Sequence, residues 1–309
     1  MKRIALILKR ALALLPLLGG AALGLGGCET IIDANIASGP MQLAVDAWLT
    51  DQPGEQRIRL VQTANYFNNS PATPATSASV VVGDNAGRVF AFTDPDNDGV
   101  YTWKPANSRD TTRLSIVGRT YTLGIQYQDN TYVSVAQMPR TTSLDSLIFR
   151  KKTITPVSKE EGYRSEFYAV DTPGAIDYYY LRYYRNGVLQ NRPQDITLAY
   201  DGAFRGSANT DGLMFIRPIR QSLNPEKLFA LNDTMRVEMR TLTTEGYLFW
   251  ELLRSQLQNA GLFATPPANV PTNIRNTNAA GPAAVGFFLV SPVRTRTAVV
   301  SKETLRGGD

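Results

Sequence analysis

Alternation of apolar and other residues is the sequence feature that most limits how this chain can fold. Leu43, Val45, Ala47 and Leu49 show it first. Successive side chains of a strand point to opposite faces of a sheet, so a period of two predicts strands with one buried face. Further strands are predicted at 58–60, 80–82, 88–92, 121–127, 132–137, 165–170, 178–184, 195–200, 213–219, 234–242, 285–290 and 294–300. Many short strands indicate a mainly β protein that begins with an immunoglobulin-like β-sandwich.

A boundary between two β units is predicted at Met138–Thr142, because Pro139 cannot donate a hydrogen bond within a central strand. We therefore expect an N-terminal β-sandwich over residues 41–138 and a second β-rich domain over residues 143–305. No repeat of 20 to 50 residues marks a solenoid or a propeller.

One helix is predicted near residues 245–260, inside the second domain. Thr243 or Thr244 can cap its start, and Gly261 can end it. An apolar face is formed by Phe249, Leu253 and Leu257. Neighbouring elements usually pack together, so this face is expected to cover the sheet that contains Met235, Val237 and Met239.

The first 27 residues are typical of a secretory signal, with a basic start, an apolar stretch and small residues at the end. Leu25–Cys28 resembles the bacterial lipobox, in which a leucine and two small residues precede an invariant cysteine. The resemblance implies cleavage after Gly27 and lipid attachment to Cys28. Cys28 is the only cysteine, so it has no disulfide partner in the chain. A plain cleaved signal with an incidental cysteine is the alternative, and residues 28–40 are expected to form a polar tether.

Histidine is absent from the chain, which excludes Ser-His-Asp catalysis, Cys-His catalysis and histidine-ligated metals. The sequence has 32 Lys and Arg against 27 Asp and Glu, and four of the basic residues lie in the signal. Removal of the signal leaves 28 basic residues against 27 acidic ones. This balance gives no electrostatic basis for binding nucleic acid.

Asp94–Gly99 is a candidate calcium loop, because carboxylates at alternate positions with a glycine at the sixth suit an oxygen-ligated cation. The ligands would be Asp94, Asp96 and Asp98. Pro105 stands at the twelfth position, where a calcium loop has a bidentate glutamate. A plain polar turn is the alternative and the one that we expect. No other cofactor is predicted.

Aromatic residues could form a platform for sugar rings or other flat ligands. The candidates are Trp48, Tyr66, Phe67, Trp103 and the tyrosines of segment 178–184. In a strand, Tyr179 and Tyr183 lie on one face and Tyr178, Tyr180 and Tyr184 on the other, so at least one set should pack into a core.

Motifs for covalent catalysis are missing. The sequence contains neither a Ser-x-x-Lys arrangement nor a Gly-Lys dipeptide, which argues against a serine–lysine nucleophile and a P-loop. A pair of carboxylates for glycoside hydrolysis remains open, because such a pair is recognised by its separation in space.

Short motifs along the chain resemble the domain-of-unknown-function 4249 family. They are Leu43–Asp51, Gly118–Leu123, Met138-Pro139 with Leu144–Leu147, Asn273-Ile274, and Val285–Phe288. The resemblance implies a Bacteroidota cell-envelope lipoprotein with a β-sandwich fold, often encoded beside TonB-dependent outer-membrane receptors.

These observations favour a lipid-anchored outer-membrane protein that binds without catalysis, as an accessory to a TonB-dependent nutrient receptor. Glu29 follows Cys28, whereas an aspartate there is the enterobacterial signal for retention in the inner membrane. The side of the outer membrane and the small-molecule or glycan ligand stay open. An envelope scaffold that binds only protein is the second hypothesis, and a carboxylate-dependent hydrolase is the third.

Overall fold

The structure, a computed structural model, describes residues 39–64, 68, 70–107, 112–152, 161–204, 209–259 and 269–307. The predicted signal 1–27, Cys28 and the tether up to residue 38 lie outside the described residues. From Pro40 onward the chain forms one compact unit. It is mainly β, as the alternation predicts.

Strands dominate the described chain from its start to its end. The first are β1 (Leu43–Thr50), β2 (Gln56–Gln62), β3 (Ser79–Asp84), β4 (Val89–Phe92), β5 (Val100–Trp103), β6 (Thr120–Tyr127), β7 (Asn130–Gln137), β8 (Leu144–Lys152) and β9 (Gly162–Ala169). They are followed by β10 (Tyr178–Arg185), β11 (Val188–Leu189), β12 (Thr197–Tyr200), helix α1 (Arg217–Arg220), β13 (Thr234–Leu242), helix α2 (Thr244–Leu257), β14 (Arg275–Asn276), β15 (Ala284–Ser291), β16 (Val293–Val299) and β17 (Leu305–Arg306). A 3₁₀ turn, Pro193–Asp195, precedes β12.

Sheets A and B enclose the first core. Sheet A has the order β15-β1-β2-β5, and sheet B has the order β14-β7-β6-β3-β4. The alternating residues Leu43, Val45, Ala47 and Leu49 all point into this core and are at most 3% exposed. Strands β6 and β7 form the predicted hairpin. Its turn residues Gln128–Asp129 both have positive φ, which is typical of a type I′ turn.

Sheets C and D enclose a second core. Sheet C has the order β17-β8-β9, and sheet D has the order β11-β10-β13-β16, with β12 also paired to β10. Tyr179, Leu181 and Tyr183 of β10 point into this core. Met235 of β13 lies there as well and is fully buried. Both cores thus use the period-two pattern that the sequence shows.

The predicted division into contiguous domains 41–138 and 143–305 is wrong. The two cores do separate at the linker 138–143, but the last strands return to both of them. β14 joins sheet B, β15 joins sheet A in parallel with β1, β16 joins sheet D and β17 joins sheet C. Alternation shows which side of a strand is buried but carries no information about its partner. Strands from both sides of Pro139 therefore share sheets.

Polar contacts tie the two sandwiches together. The buried carboxylate of Asp51, just after β1, accepts hydrogen bonds from Val293 N at 2.8 Å and from Arg294 Nη1 at 2.7 Å, both at the start of β16. In the linker, the guanidinium of Arg140 pairs with Asp177 and donates to the carbonyl of Pro173. These contacts fix the course of the chain from one core to the other.

Helix α2 confirms the predicted helix and its packing on the sheet that contains Met235, Val237 and Met239, but not the predicted buried face. The Thr243 side chain caps it by accepting a hydrogen bond from Gly246 N. Leu257, expected on the buried face, is 50% exposed, while Tyr247 is 6% exposed. Met235, Val237 and Met239 face the second core, so the helix covers the opposite side of sheet D.

The predicted strand 213–219 is also corrected. Met214 forms only an isolated bridge to Val170, and the chain then enters α1 at Arg217. Pro218 lies in the first turn of α1. Backbone N–H groups in the first turn have no acceptor within the helix, so a proline there loses no hydrogen bond.

Candidate ligand-binding cleft

A cleft of about 440 Å³ lies between the outer face of sheet A and helix α2. Because Val45 and Ala47 point into the first core, their neighbours Ala44, Asp46 and Trp48 point outward and line this cleft. The other lining residues are Arg59, Val61, Ala72, Phe249, Trp250, Leu253, Val285, Gly286, Phe287 and Leu289, with the backbone of Val45 and Ala47. The volume falls within the usual range of roughly 300–1,000 Å³ for small-molecule sites.

Two glycines set the shape of the cleft. Gly286 has φ of +95°, and a Cβ there would lie 2.0 Å from the carbonyl oxygen of Val45 on the paired strand. Gly246, in the first turn of α2, would place a Cβ 2.6 Å from Leu289 Cδ2. Gly286 requires glycine, because a side chain there would push β15 away from the backbone of β1, whereas a side chain at Gly246 would only require the Leu289 side chain to move.

Aromatic rings form one end of the cleft. The ring of Trp48 lies 5.1 Å from that of Tyr180 and 5.3 Å from that of Trp250. Phe249 and Phe287 are 4.6 Å apart between ring centroids. These distances are typical of attractive aromatic pairs, which contribute about 0.5–1.5 kcal/mol each beyond their buried area.

Trp48 is held in place from two sides. Its Nε1 donates to Ser291 Oγ at 2.9 Å, and the guanidinium of Arg240 lies 4.3 Å from the ring centroid. By contrast, the buried Nε1 of Trp250 has no hydrogen-bond partner among the described residues. The cleft therefore combines a fixed aromatic wall with a polar group that the fold leaves unsatisfied.

Two ionisable side chains line the cleft: Asp46 and Arg59, which face each other across β1 and β2. The Asp46 side chain is exposed at the surface of the cleft, and nearby protein atoms displace part of the water around its carboxyl. This partial removal from water raises the pKa of Asp46, and the nearby Arg59 and Arg240 counteract part of the effect.

Charge next to the aromatic wall is arranged as a triad. Glu238 Oε1 lies 2.6 Å from Arg182 and 2.7 Å from Arg240, so two guanidinium groups share one carboxylate. The two arginines lower the pKa of Glu238, although its burial acts in the opposite direction. The triad is mostly buried and holds Arg240 against Trp48.

The structure separates the aromatic candidates. Trp48 lies in the cleft, and Tyr178 and Tyr180 lie beneath α2, whereas Tyr179 and Tyr183 fill the second core. Trp103 packs at the edge of the first core, and Tyr184 stacks with Arg236. Tyr66 and Phe67 lie outside the described residues.

The Asp94–Gly99 segment forms a turn. The Asp94 carboxylate accepts hydrogen bonds from the backbone N–H groups of Asp98, at 3.2 Å, and Gly99, at 3.0 Å. Asp98 accepts a bond from Val100 N at 2.9 Å. Within the described residues, Asp94, Asp96 and Asp98 are not gathered into a group that could hold a metal ion.

The carboxylate pair of the hydrolase hypothesis is not found in this cleft. Asp46 is the single carboxylate among its described lining residues. A cluster of Asp171, Asp177 and Asp201 lies elsewhere, buried in the second sandwich and bonded to Tyr179, Arg140 and backbone N–H groups. These hydrogen bonds give the three carboxylates a structural role in the second sandwich.

Sequence reasoning placed Trp48 among the ligand candidates but missed Asp46, Arg59 and the role of α2. A signal was present, because Asp46 and Trp48 lie on the outward side of an otherwise apolar strand. The nearness of β15 and α2 to that strand had no local signal, since about 240 residues separate Trp48 from Leu289.

Two sandwiches that the C-terminal strands complete, with a cleft on one outer face, define a mainly β protein. The chain belongs to the family described as Domain of unknown function (DUF4249), whose sequence profile matches residues 29–297. This confirms the resemblance found in the sequence.

Comparisons with curated proteins and with solved structures do not extend this family assignment. No curated protein matches the chain in sequence. A crystal structure of a DUF4785 family protein from Legionella pneumophila matches with a TM-score of 0.22 and 12% identity, over 67% of this chain and 53% of that one. The chain thus spans about half the length of that protein, and a similarity of this size supports no conclusion. No helix in the described ranges has the length and apolar character needed to cross a membrane.

Proposed function

We propose that this chain is a lipid-anchored protein of the outer membrane that binds a small ligand in the cleft between sheet A and α2. The observation that carries the proposal is the cleft itself: a concave, mostly apolar surface with a few polar groups. Such surfaces are the usual form of small-molecule sites. The binding is non-catalytic and serves a TonB-dependent receptor as an accessory.

The anchor rests on the lipobox-like Leu25–Cys28 segment. Each buried methylene of an acyl chain contributes about 0.8 kcal/mol, so several chains on one cysteine hold a protein stably at a membrane. Cys28→Ser should release the protein from the membrane fraction or leave an unprocessed precursor. Mature, membrane-bound Cys28→Ser protein would contradict the anchor.

The receptor partnership rests on family membership and on what the resemblance implies about gene neighbours. An envelope scaffold is the alternative, and it predicts a protein partner without a small ligand. The accessory function predicts that the purified protein carries a small molecule together with a receptor, whereas the scaffold function predicts a protein partner alone.

Purification from native membranes in mild detergent tests the binding function. Mass spectrometry of the extract should identify a small molecule, and the protein fraction should contain an outer-membrane receptor. Ala44 lines the cleft, so Ala44→Trp should fill it and abolish the small molecule while the receptor is retained.

Ala86 lies exposed in the turn between β3 and β4, which makes Ala86→Trp the matched control. This variant should keep both the ligand and the receptor. A receptor without any small molecule in the wild-type sample would favour the scaffold.

A further inference from the structure

Arg59 is a cation at the edge of an apolar cleft, without an ion-pair partner in the part of the chain that the structure describes. Its side chain is exposed and forms no hydrogen bond or ion pair with the described residues. Asp46 is its direct neighbour across the two strands, yet the carboxylate does not lie within ion-pair distance. By contrast, Arg57, two residues away on the same face of β2, is paired with Glu55. A charge beside an apolar surface that forms no ion pair with the described residues is available to a charged group of a ligand.

We propose that the cleft binds a free amphipathic monocarboxylate, with its apolar body against the aromatic wall and its carboxylate on Arg59. The inference rests on the proposed function and adds the chemical class of the ligand. Charge complementarity and the apolar lining together carry it.

The balance of charge around the cleft favours an anion. Asp46 and Arg59 cancel, while Arg182 and Arg240 share the single carboxylate of Glu238. These five groups, of which Asp46 and Arg59 line the cleft, together carry one net positive charge. An anionic head group gains from this field and a cationic one loses.

The aromatic wall is unsuited to a cationic head group. Tryptophan faces attract cations, but the guanidinium of Arg240 already occupies that position over Trp48, 4.3 Å from the ring centroid. A ligand cation would have to lie near this buried arginine. The rings therefore offer apolar contact to the ligand body.

Asp46 modulates binding. Its carboxylate lies close to the proposed position of the ligand head group, so the ionised form repels the ligand. Partial burial raises the pKa of Asp46, and a bound apolar body would exclude more water from it. Removing the charge should therefore strengthen binding of a carboxylate, opposite to the effect of removing the Arg59 charge.

The test uses three probes with one apolar chain and different head groups: decanoate, decan-1-ol and decylammonium. Binding to the full chain is followed by calorimetry and by tryptophan fluorescence. Decanoate should bind most tightly and decylammonium least. Arg59→Gln should weaken decanoate about fivefold, as expected for a partly exposed ion pair, and leave decan-1-ol unchanged. Arg59→Lys should retain most of the preference.

Arg57→Gln is the matched control, since Arg57 lies on the same strand face but outside the cleft lining. It should change none of the three affinities, and Asp46→Asn should raise the affinity for decanoate. Melting temperatures establish that each variant is folded.

Equal affinities for decanoate and decan-1-ol would overturn the assignment of the head group and leave the cleft as a ligand site. Absence of binding by all three probes would overturn the ligand class. The proposed function would then be judged separately, by the small molecule that co-purifies with the native protein.

Discussion

Gly286 of β15 lies against the Val45 backbone of β1, and its φ of +95° is one that L-residues with side chains rarely adopt. A methyl group there would meet the Val45 carbonyl at 2.0 Å. We expect Gly286→Ala to lower the free energy of unfolding by about 3 kcal/mol or more, because parallel pairing would be disrupted as well as strained. Gly87→Ala, at φ +84° with open space around it, should lose only about 1 kcal/mol. Similar losses in urea denaturation would contradict the close approach.

Asp46 makes stability depend on pH in a defined direction. Its folded-state pKa is raised above the ordinary value. The folded chain therefore holds this proton more tightly than the unfolded chain, and ionisation of Asp46 destabilises the fold as pH rises through that window. Asp46→Asn removes this ionisation. The difference in stability between the variant and the wild type should therefore favour the variant more at pH 7 than at pH 3. If the melting temperatures of the variant and the wild type differed by the same amount at pH 3 and at pH 7, the pKa of Asp46 would not be raised by folding.

The start of helix α2 is set by one of two candidate threonines. Thr243 accepts the hydrogen bond from Gly246 N, while Thr244 is the exposed first residue of the helix. Thr243→Ala should therefore lower stability by about 1 kcal/mol. Thr244→Ala should change it by a few tenths at most, since alanine favours helix. If urea denaturation gave the reverse order, Thr244 would be the cap.

The apolar stripe of helix α2 does not predict which face of the helix is buried. Phe249, Leu253 and Leu257 form a stripe in sequence, but α2 buries Gly246 and Tyr247 instead and leaves Leu257 half-exposed. The surface beneath it comes from β10, β12, β13 and β15, whose meeting point is not a local property. Phe249 and Leu253 are thereby left to line the cleft.

The whole chain from Pro40 should unfold as one unit, because its last strands complete all four sheets. A fragment of residues 40–142 lacks β14 and β15, so sheet A would expose the edge of β1, and the first core would lose Phe288 and Val290. We expect this fragment to show no cooperative thermal transition by circular dichroism, while residues 40–309 show a single one. A fragment that melts cooperatively would restore the N-terminal domain as an independent unit.

The amino-acid sequence by itself determined the β class, the buried face of β1, the β6–β7 hairpin turn and the position of α2, because all of these depend on residues close together in the chain. It also carried the family resemblance. Only the tertiary structure decided which strands pair, as in β15 with β1, and therefore that Trp48, Asp46 and Arg59 share a cleft with α2. Pairing depends on contacts between distant residues, where several strands of similar pattern compete and the packing of the complete molecule selects among them.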